Sequence, residues 1–147
     1  MDILLVGDEF VGSALVEQAR VLGWRARTTT DLDESLGAVK KLGRGDAVIV
    51  LEHEHRIATP VLLAALRDEI GYVGALGSRK MQSARATSLR AAGATDDELA
   101  ALHCPTGLDL GARTPAESAV SIVAEIIANT SGRDAQPLRS GKDSISA

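Results

Sequence analysis

Three turns in this chain combine residue types that can hold an anionic ligand. YVGALGSRK runs from Tyr72 to Lys80, HCPTGLDLGARTPAES from His103 to Ser118, and LLVGDEFVG from Leu4 to Gly12. In each of the first two, a short apolar stretch ends in Gly, Ser or Pro, and the next helix starts with small, polar or cationic residues. A strand that ends this way and feeds a helix leaves backbone N–H groups free at its carboxyl end, where α/β proteins bind anions. In the Gly77-Ser78-Arg79-Lys80 turn, Ser78 can cap the helix and donate to an oxygen, and Arg79 can offer a planar two-pronged donor. Gly107 and Gly111 offer a second loop of exposed amides.

The opening turn has the form of a dinucleotide fingerprint with one change. It carries Gly7, Glu9 and Gly12 where the fingerprint has three glycines. The middle position is where backbone must approach a pyrophosphate; Glu9 adds bulk and negative charge there, and Asp8 adds a second charge. After the second strand come Thr28, Thr29 and Thr30, with no acid before Asp31, so a ribose-binding carboxylate is absent or displaced. A strand-turn-helix scaffold that binds NAD(P) weakly or not at all is the expectation.

Glu52-His53-Glu54-His55 follows the third strand. In an extended chain His53 and His55 would lie on one side, and with His103 or Cys104 they could bind a soft transition metal. No CxxC or HExxH spacing supports this, so no metal site is assigned. His53 lies nearer the ligand crevice and reads as a ligand contact; His55 reads as a solvated surface histidine. Cys104 reads as a small buried residue ending a strand. No Ser-His-Asp order or carboxylate pair supports a catalytic assignment.

Composition bounds the class. The 147 residues suggest one domain, large enough to bury roughly 70% of the unfolded chain's surface. Hydrophobic residues make up 45% but aromatics only 2% (Phe10, Trp24 and Tyr72), so the core must be built from Ala, Val, Leu and Ile. That suits a parallel sheet between helices and argues against base-stacking nucleic-acid modules. A net charge of −4 gives no basic field for a polynucleotide. The single cysteine excludes an internal disulfide and fits a reducing compartment. No secretory signal pattern opens the chain, and no apolar run approaches the ~20 residues of a membrane span. A cytoplasmic protein with neither nucleic-acid nor membrane partner is expected.

The elements alternate. Ile3 to Val6 reads as a strand, followed by a helix through Leu22; Trp24 to Thr30 reads as a second strand. Asp31 or Asp33 can cap a helix running to about Lys41. Ala47 to Leu51 is continuously apolar, which places it centrally in a sheet covered on both faces. Pro60 marks the start of a helix ending near Glu69, and Tyr72 to Leu76 gives a fourth strand. Ser78 starts a helix to Ala92, Asp96 to Ala101 a short one, and Leu102 to Cys104 a brief fifth strand. Thr114-Pro115-Ala116-Glu117 is a capping box with Pro at the first helical position. The helix it opens is so apolar that the sheet or a second subunit must cover it, and a homodimer is expected. From Ser131 the composition turns polar, so residues 131–147 read as a disordered tail behind a domain over 1–130. Alternation throughout gives a doubly wound α/β fold with a parallel sheet of about five strands. A single helix separates the second strand from Ala47, which favours the order 2-1-3-4-5 with the switch point between the first and third strands. Gly7, Leu51 to Glu54, and Gly77 to Arg79 would form the crevice rim.

Taken together, LLVGDEFVG, DAVIVLEHE, YVGALGSRK and HCPTGLDLGARTPAESAVSIVAEIIA closely resemble the C-terminal Rossmann-like domain of the XdhC/CoxI family, accessory proteins of molybdenum hydroxylases such as xanthine dehydrogenase and carbon monoxide dehydrogenase. The resemblance covers about residues 3 to 129. It implies an accessory protein, not a catalyst in its own right, that binds molybdenum cofactor (molybdopterin, a pyranopterin with a phosphate), supports its sulfuration and passes it to the apo-enzyme. His53 matches the family's histidine after the third strand, Gly77, Ser78 and Arg79 its GSR turn, and Gly107, Asp109, Gly111, Thr114, Pro115 and Glu117 its GLDIGA-TP-E segment. Full-length members carry an N-terminal domain with its own cysteine motif, which this chain lacks; a separate protein bearing that domain is the expected partner, with the apo-hydroxylase as client. Glu9 stands where the family usually has a second glycine, and Glu52 where threonine is common. The expected cofactor-binding residues are Gly7, His53, Gly77, Ser78, Arg79, Gly107, Asp109 and Gly111. The alternatives are an NAD(P)-binding oxidoreductase-like domain and a ligand-free assembly domain.

Overall fold

The computed structural model describes residues 1–7 and 9–141; Asp8 and residues 142–147, the end of the expected tail, lie outside the described residues. The elements run β1 (Asp2–Val6), α1 (Phe10–Val21), β2 (Arg25–Thr29), α2 (Leu32–Val39), β3 (Ala47–Val50), α3 (His55–Arg67), β4 (Tyr72–Ala75), α4 (Arg79–Ala91), α5 (Asp96–Ala100), β5 (Leu102–His103) and α6 (Pro115–Ser131), with one 3-10 turn at Leu138–Ser140. The strands form one five-stranded sheet in the order β2-β1-β3-β4-β5, parallel at every pairing. Val6 pairs with Val50, and Val50 with Ala75, so the carboxyl ends of the three central strands stop level with one another.

Period two along the strands splits the core into two layers. Leu4, Val6, Val48, Val50, Val73 and Ala75 face α2, α3 and α4. Ile3, Leu5, Ala47, Ile49, Leu51 and Tyr72 face α1 and α6. All four β3 residues are fully buried, as continuous apolarity requires of a central strand. Each such Val, Leu or Ile side chain stabilises by ~1.5–3 kcal/mol on burial.

Local signals set the helix starts. The Asp31 carboxylate accepts from Glu34 N at 2.9 Å and caps α2. Thr114 and Glu117 form the capping box of α6, with Pro115 in the first turn; a cap of this kind contributes ~1 kcal/mol. Ala119, Ile122, Val123 and Ile126 of α6 are covered by the chain's own sheet and α1, while Val120 and Ile127 on its other side stay exposed.

Two local readings change. Helix α3 begins at His55, five residues before Pro60, which lies inside it. Pro60 there removes the bond that would otherwise go to the carbonyl of Arg56. His55 therefore opens a helix and does not continue an extended chain, so the shared face expected for His53 and His55 does not form. Beyond α6, Gly132 ends the helix in the left-handed conformation at φ 67°.

Candidate functional site

The β1 and β3 turns meet at the switch point through backbone contact. Gly7 adopts φ +121°, and a Cβ there would lie 2.8 Å from Glu52 N, so only glycine fits without a shift. Leu51 N and Glu52 N both donate to Val6 O, at 2.7 and 3.0 Å, and Gly7 N donates to Thr29 O at 2.9 Å. Glu52 then turns its carboxylate back on the chain, where Oε1 accepts from His53 N and Glu54 N, each at 2.9 Å. The Glu52 carboxylate thus sits on the two amides just before α3, beside the helix start where an anion would bind. Glu9 Oε1 lies 3.6 Å from His53 Nε2, with both side chains partly exposed. This half of the crevice is acidic and favours no pyrophosphate.

The β4–α4 turn has the opposite character. Gly77 adopts φ +148°, and Ser78 caps α4 by accepting from Met81 N at 3.3 Å, which leaves its hydroxyl hydrogen free to donate. Arg79 is exposed and makes no hydrogen bond or ion pair with another described residue. Six residues further on, Arg85 is buried beneath the rim, 2% exposed. Its Nη2 donates long bonds to Glu52 O (3.4 Å) and Leu76 O (3.3 Å), while Nε and Nη1 have no partner. Burial pushes the thiol of neighbouring Cys104 above its ordinary range, with Arg85 opposing the shift.

A third group of side chains holds the segment after β5. The Tyr72 ring stacks on His103 with centroids 4.3 Å apart, and Tyr72 OH donates to Glu125 Oε2 at 2.5 Å. With that proton committed, the Thr106 hydroxyl donates to Tyr72 OH, 2.6 Å away. Glu125 also accepts from Gly107 N at 2.6 Å and from His103 Nδ1 at 3.0 Å, which places the proton of a neutral His103 on Nδ1. Burial and the Glu125 carboxylate drive the Tyr72 phenol far above its ordinary 10. Burial opposes ionisation of Glu125, but the hydrogen bonds from His103, Tyr72 and Gly107 outweigh it and hold the carboxyl below its ordinary 4.5.

The expected site residues thus fall into two groups. Gly7, His53, Gly77, Ser78 and Arg79 stand at the carboxyl ends of β1, β3 and β4. Gly107, Asp109 and Gly111 belong to a loop strapped to α6, on the face of the sheet opposite α4. Gly107 N is taken by Glu125, Leu108 N donates to Ser121 O at 3.2 Å, and Ser121 Oγ donates to Leu108 O at 2.5 Å. The loop therefore exposes fewer free amides than its glycines suggest, while Asp109 and Gly111 remain exposed. Arg85 and Glu125 were not singled out from sequence, and Glu52 was read as part of the crevice rim without its bonds to His53 N and Glu54 N. For Arg85 a signal existed: with Met81 and Leu89 it recurs every four residues, which sets it on the inner face of α4. Among the described residues no cluster of three or more His, Cys, Asp or Glu is arranged to hold a metal.

A parallel five-stranded sheet in this order, with a close glycine contact at the switch point, defines a Rossmann-like domain. Residues 3–126 match the family model described as the XdhC Rossmann domain, and the chain belongs to that family. It is 27% identical over 143 residues to the uncharacterised Escherichia coli (strain K12) protein YqeB, an alignment covering 85% of this chain and 26% of YqeB. It also superposes on a solved structure described as a xanthine dehydrogenase from Bacillus halodurans, with a TM-score of 0.70 and 23% identity, over 96% of this chain and 45% of that one. The chain thus spans about a quarter of one relative and under half of the other. No helix among the described residues is long and apolar enough to cross a membrane.

Proposed function

We propose that this chain is an accessory protein that binds molybdenum cofactor and delivers it to a hydroxylase of the xanthine or carbon monoxide dehydrogenase type, acting together with an N-terminal-type domain. Family membership supports the accessory role. The observation that carries the cofactor reading is the β4–α4 turn: a capped helix start with a free serine proton and an arginine without a partner among the described residues, at the carboxyl end of the sheet. The donors present fit a phosphate, and the orphaned nitrogens of Arg85 beneath them fit it as well. In this reading Gly77, Ser78 and Arg79 hold the phosphate, and His53 and Gly7 line the crevice beside the pterin. Asp109, Gly107 and Gly111 border it from the α6 side. When bound, the cofactor supplies the metal centre for hydroxylation in the client enzyme, and this chain's residues bind and orient it. The acidic pair at the switch point, Glu9 and Glu52, favours this reading over NAD(P) binding.

The test is cofactor titration of Arg79 variants. Loss of a charge-assisted hydrogen bond costs ~1.5–3 kcal/mol, roughly ten- to hundredfold in affinity. Arg79→Ala should weaken binding by that factor with the fold intact, and Arg79→Lys should recover only part of it, because a point charge does not replace the planar fork. Equal affinity in wild type and folded Arg79→Ala would remove the site.

A further inference from the structure

Among the described residues Arg85 is the one charged side chain that is buried, and no carboxylate pairs with it. Its two hydrogen bonds, both to main-chain carbonyls and both through Nη2, are long at 3.4 and 3.3 Å. Nε and Nη1 are sealed from water without a partner. Burying a cation in this way is strongly unfavourable unless a counter-charge compensates it. No described residue provides one. Glu52, whose carbonyl touches the guanidinium, has its carboxylate bound to the amides of His53 and Glu54. Burial pushes the Cys104 thiol up and the charge and hydrogen-bonding of Arg85 oppose it, so this neighbour is a weak thiol contact and not a counter-charge.

The position of this cation suggests what completes it. Glu52 lies two residues past β3, and Leu76 and Cys104 directly follow β4 and β5, so Arg85 reaches from α4 under the carboxyl ends of three strands. Ligands of doubly wound sheets bind directly above that edge. Leu76, Gly77 and Cys104 are only half-buried, and the Ser78–Arg79 donors follow Leu76 by two and three residues. We infer that Arg85 is the buried anchor of an oxyanion site: its Nε and Nη1 donate to a phosphate-type group that enters beside the Leu76–Ser78 turn, while Ser78 and Arg79 bind the same group from the solvent side. The inference deepens the phosphate-binding reading above and rests on it for the location of the ligand. A phosphate monoester on a larger cofactor and free inorganic phosphate present the same oxygens, and the experiment separates them.

Thermal unfolding of the full chain tests this with inorganic phosphate as the first probe and molybdenum cofactor as the second. Arg85→Met keeps the length and removes the uncompensated charge. It should raise the Tm of the ligand-free protein by several degrees, because replacing a buried unpaired charge by an apolar side chain is stabilising. It should also abolish the saturable rise in Tm that phosphate gives the wild type. A fall in Tm with the phosphate response retained would make Arg85 a structural clamp on the two carbonyls and overturn the inference, as would a wild type that phosphate does not stabilise. If Arg85→Met does not fold, Arg85→Lys decides: at least tenfold weaker phosphate binding is expected, and unchanged binding overturns the inference. Cofactor bound equally well by wild type and Arg85→Met, and lost in Arg79→Ala, sinks this inference and leaves the proposed function standing. Phosphate bound through Arg85 with no cofactor binding by the wild type does the reverse and assigns the site to a free oxyanion.

Discussion

Glu9 decides what the β1 end can accept. It extends a carboxylate over the crevice to within 3.6 Å of His53, and the Glu52 carboxylate on the amides of His53 and Glu54 adds a second negative charge on the far side. NAD(P) should therefore bind the native chain weakly or not at all in calorimetric titration, and micromolar or tighter affinity would contradict this. Glu9→Gly should improve NAD(P) binding only modestly, because Glu52 remains in place. Glu125 gives the second residue-level prediction. Its folded value lies below the ordinary 4.5, so its network stabilises fully above that value and the contribution fades as the pH falls through the folded value. The Tm difference between wild type and Glu125→Gln should be largest near neutral pH and shrink as the pH falls below 4.5; a pH-independent difference would show that the charge on Glu125 is not what matters. Ser78 and Arg79 were legible in the sequence because residue type and a turn suffice to read them. Glu52 and Glu125 were not, because their roles depend on which amides a distant fold brings to their oxygens.

At the level of elements, the segment after β5 is held by close packing as well as by Glu125. Gly107 adopts φ +105°, and a Cβ there would lie 2.5 Å from Ser121 Oγ. Gly107→Ala should cost roughly 2–3 kcal/mol, on the order of 6–10 °C in Tm. It should also disturb the loop carrying Asp109 and Gly111. A Tm within a degree of wild type would show that the loop is not clamped to α6. Strand order was legible because one short helix between β2 and β3 leaves little choice of crossover. The start of α3 was not, because Pro60 looks like a first-turn residue until the backbone shows the missing bond falling at Arg56. Likewise His53-Glu54-His55 alternates like a strand, yet the Glu52 carboxylate turns the chain into a helix there.

At the level of the whole molecule, an aliphatic core with few aromatics produced the covered parallel sheet that composition predicts, and one side of the apolar α6 is covered within the chain. The chain corresponds to 45% of the matched solved chain and 26% of YqeB, so an accessory function would draw on further domains or partners, and the binding step is the part this domain can answer for. The most direct measurement is equilibrium titration of the native chain with molybdenum cofactor, with NAD(P) in parallel and mass spectrometry of whatever ligand co-purifies. The account predicts saturable cofactor binding and little or no NAD(P) binding. Tight NAD(P) binding, or no cofactor binding even with the N-terminal-type partner domain present, would contradict it.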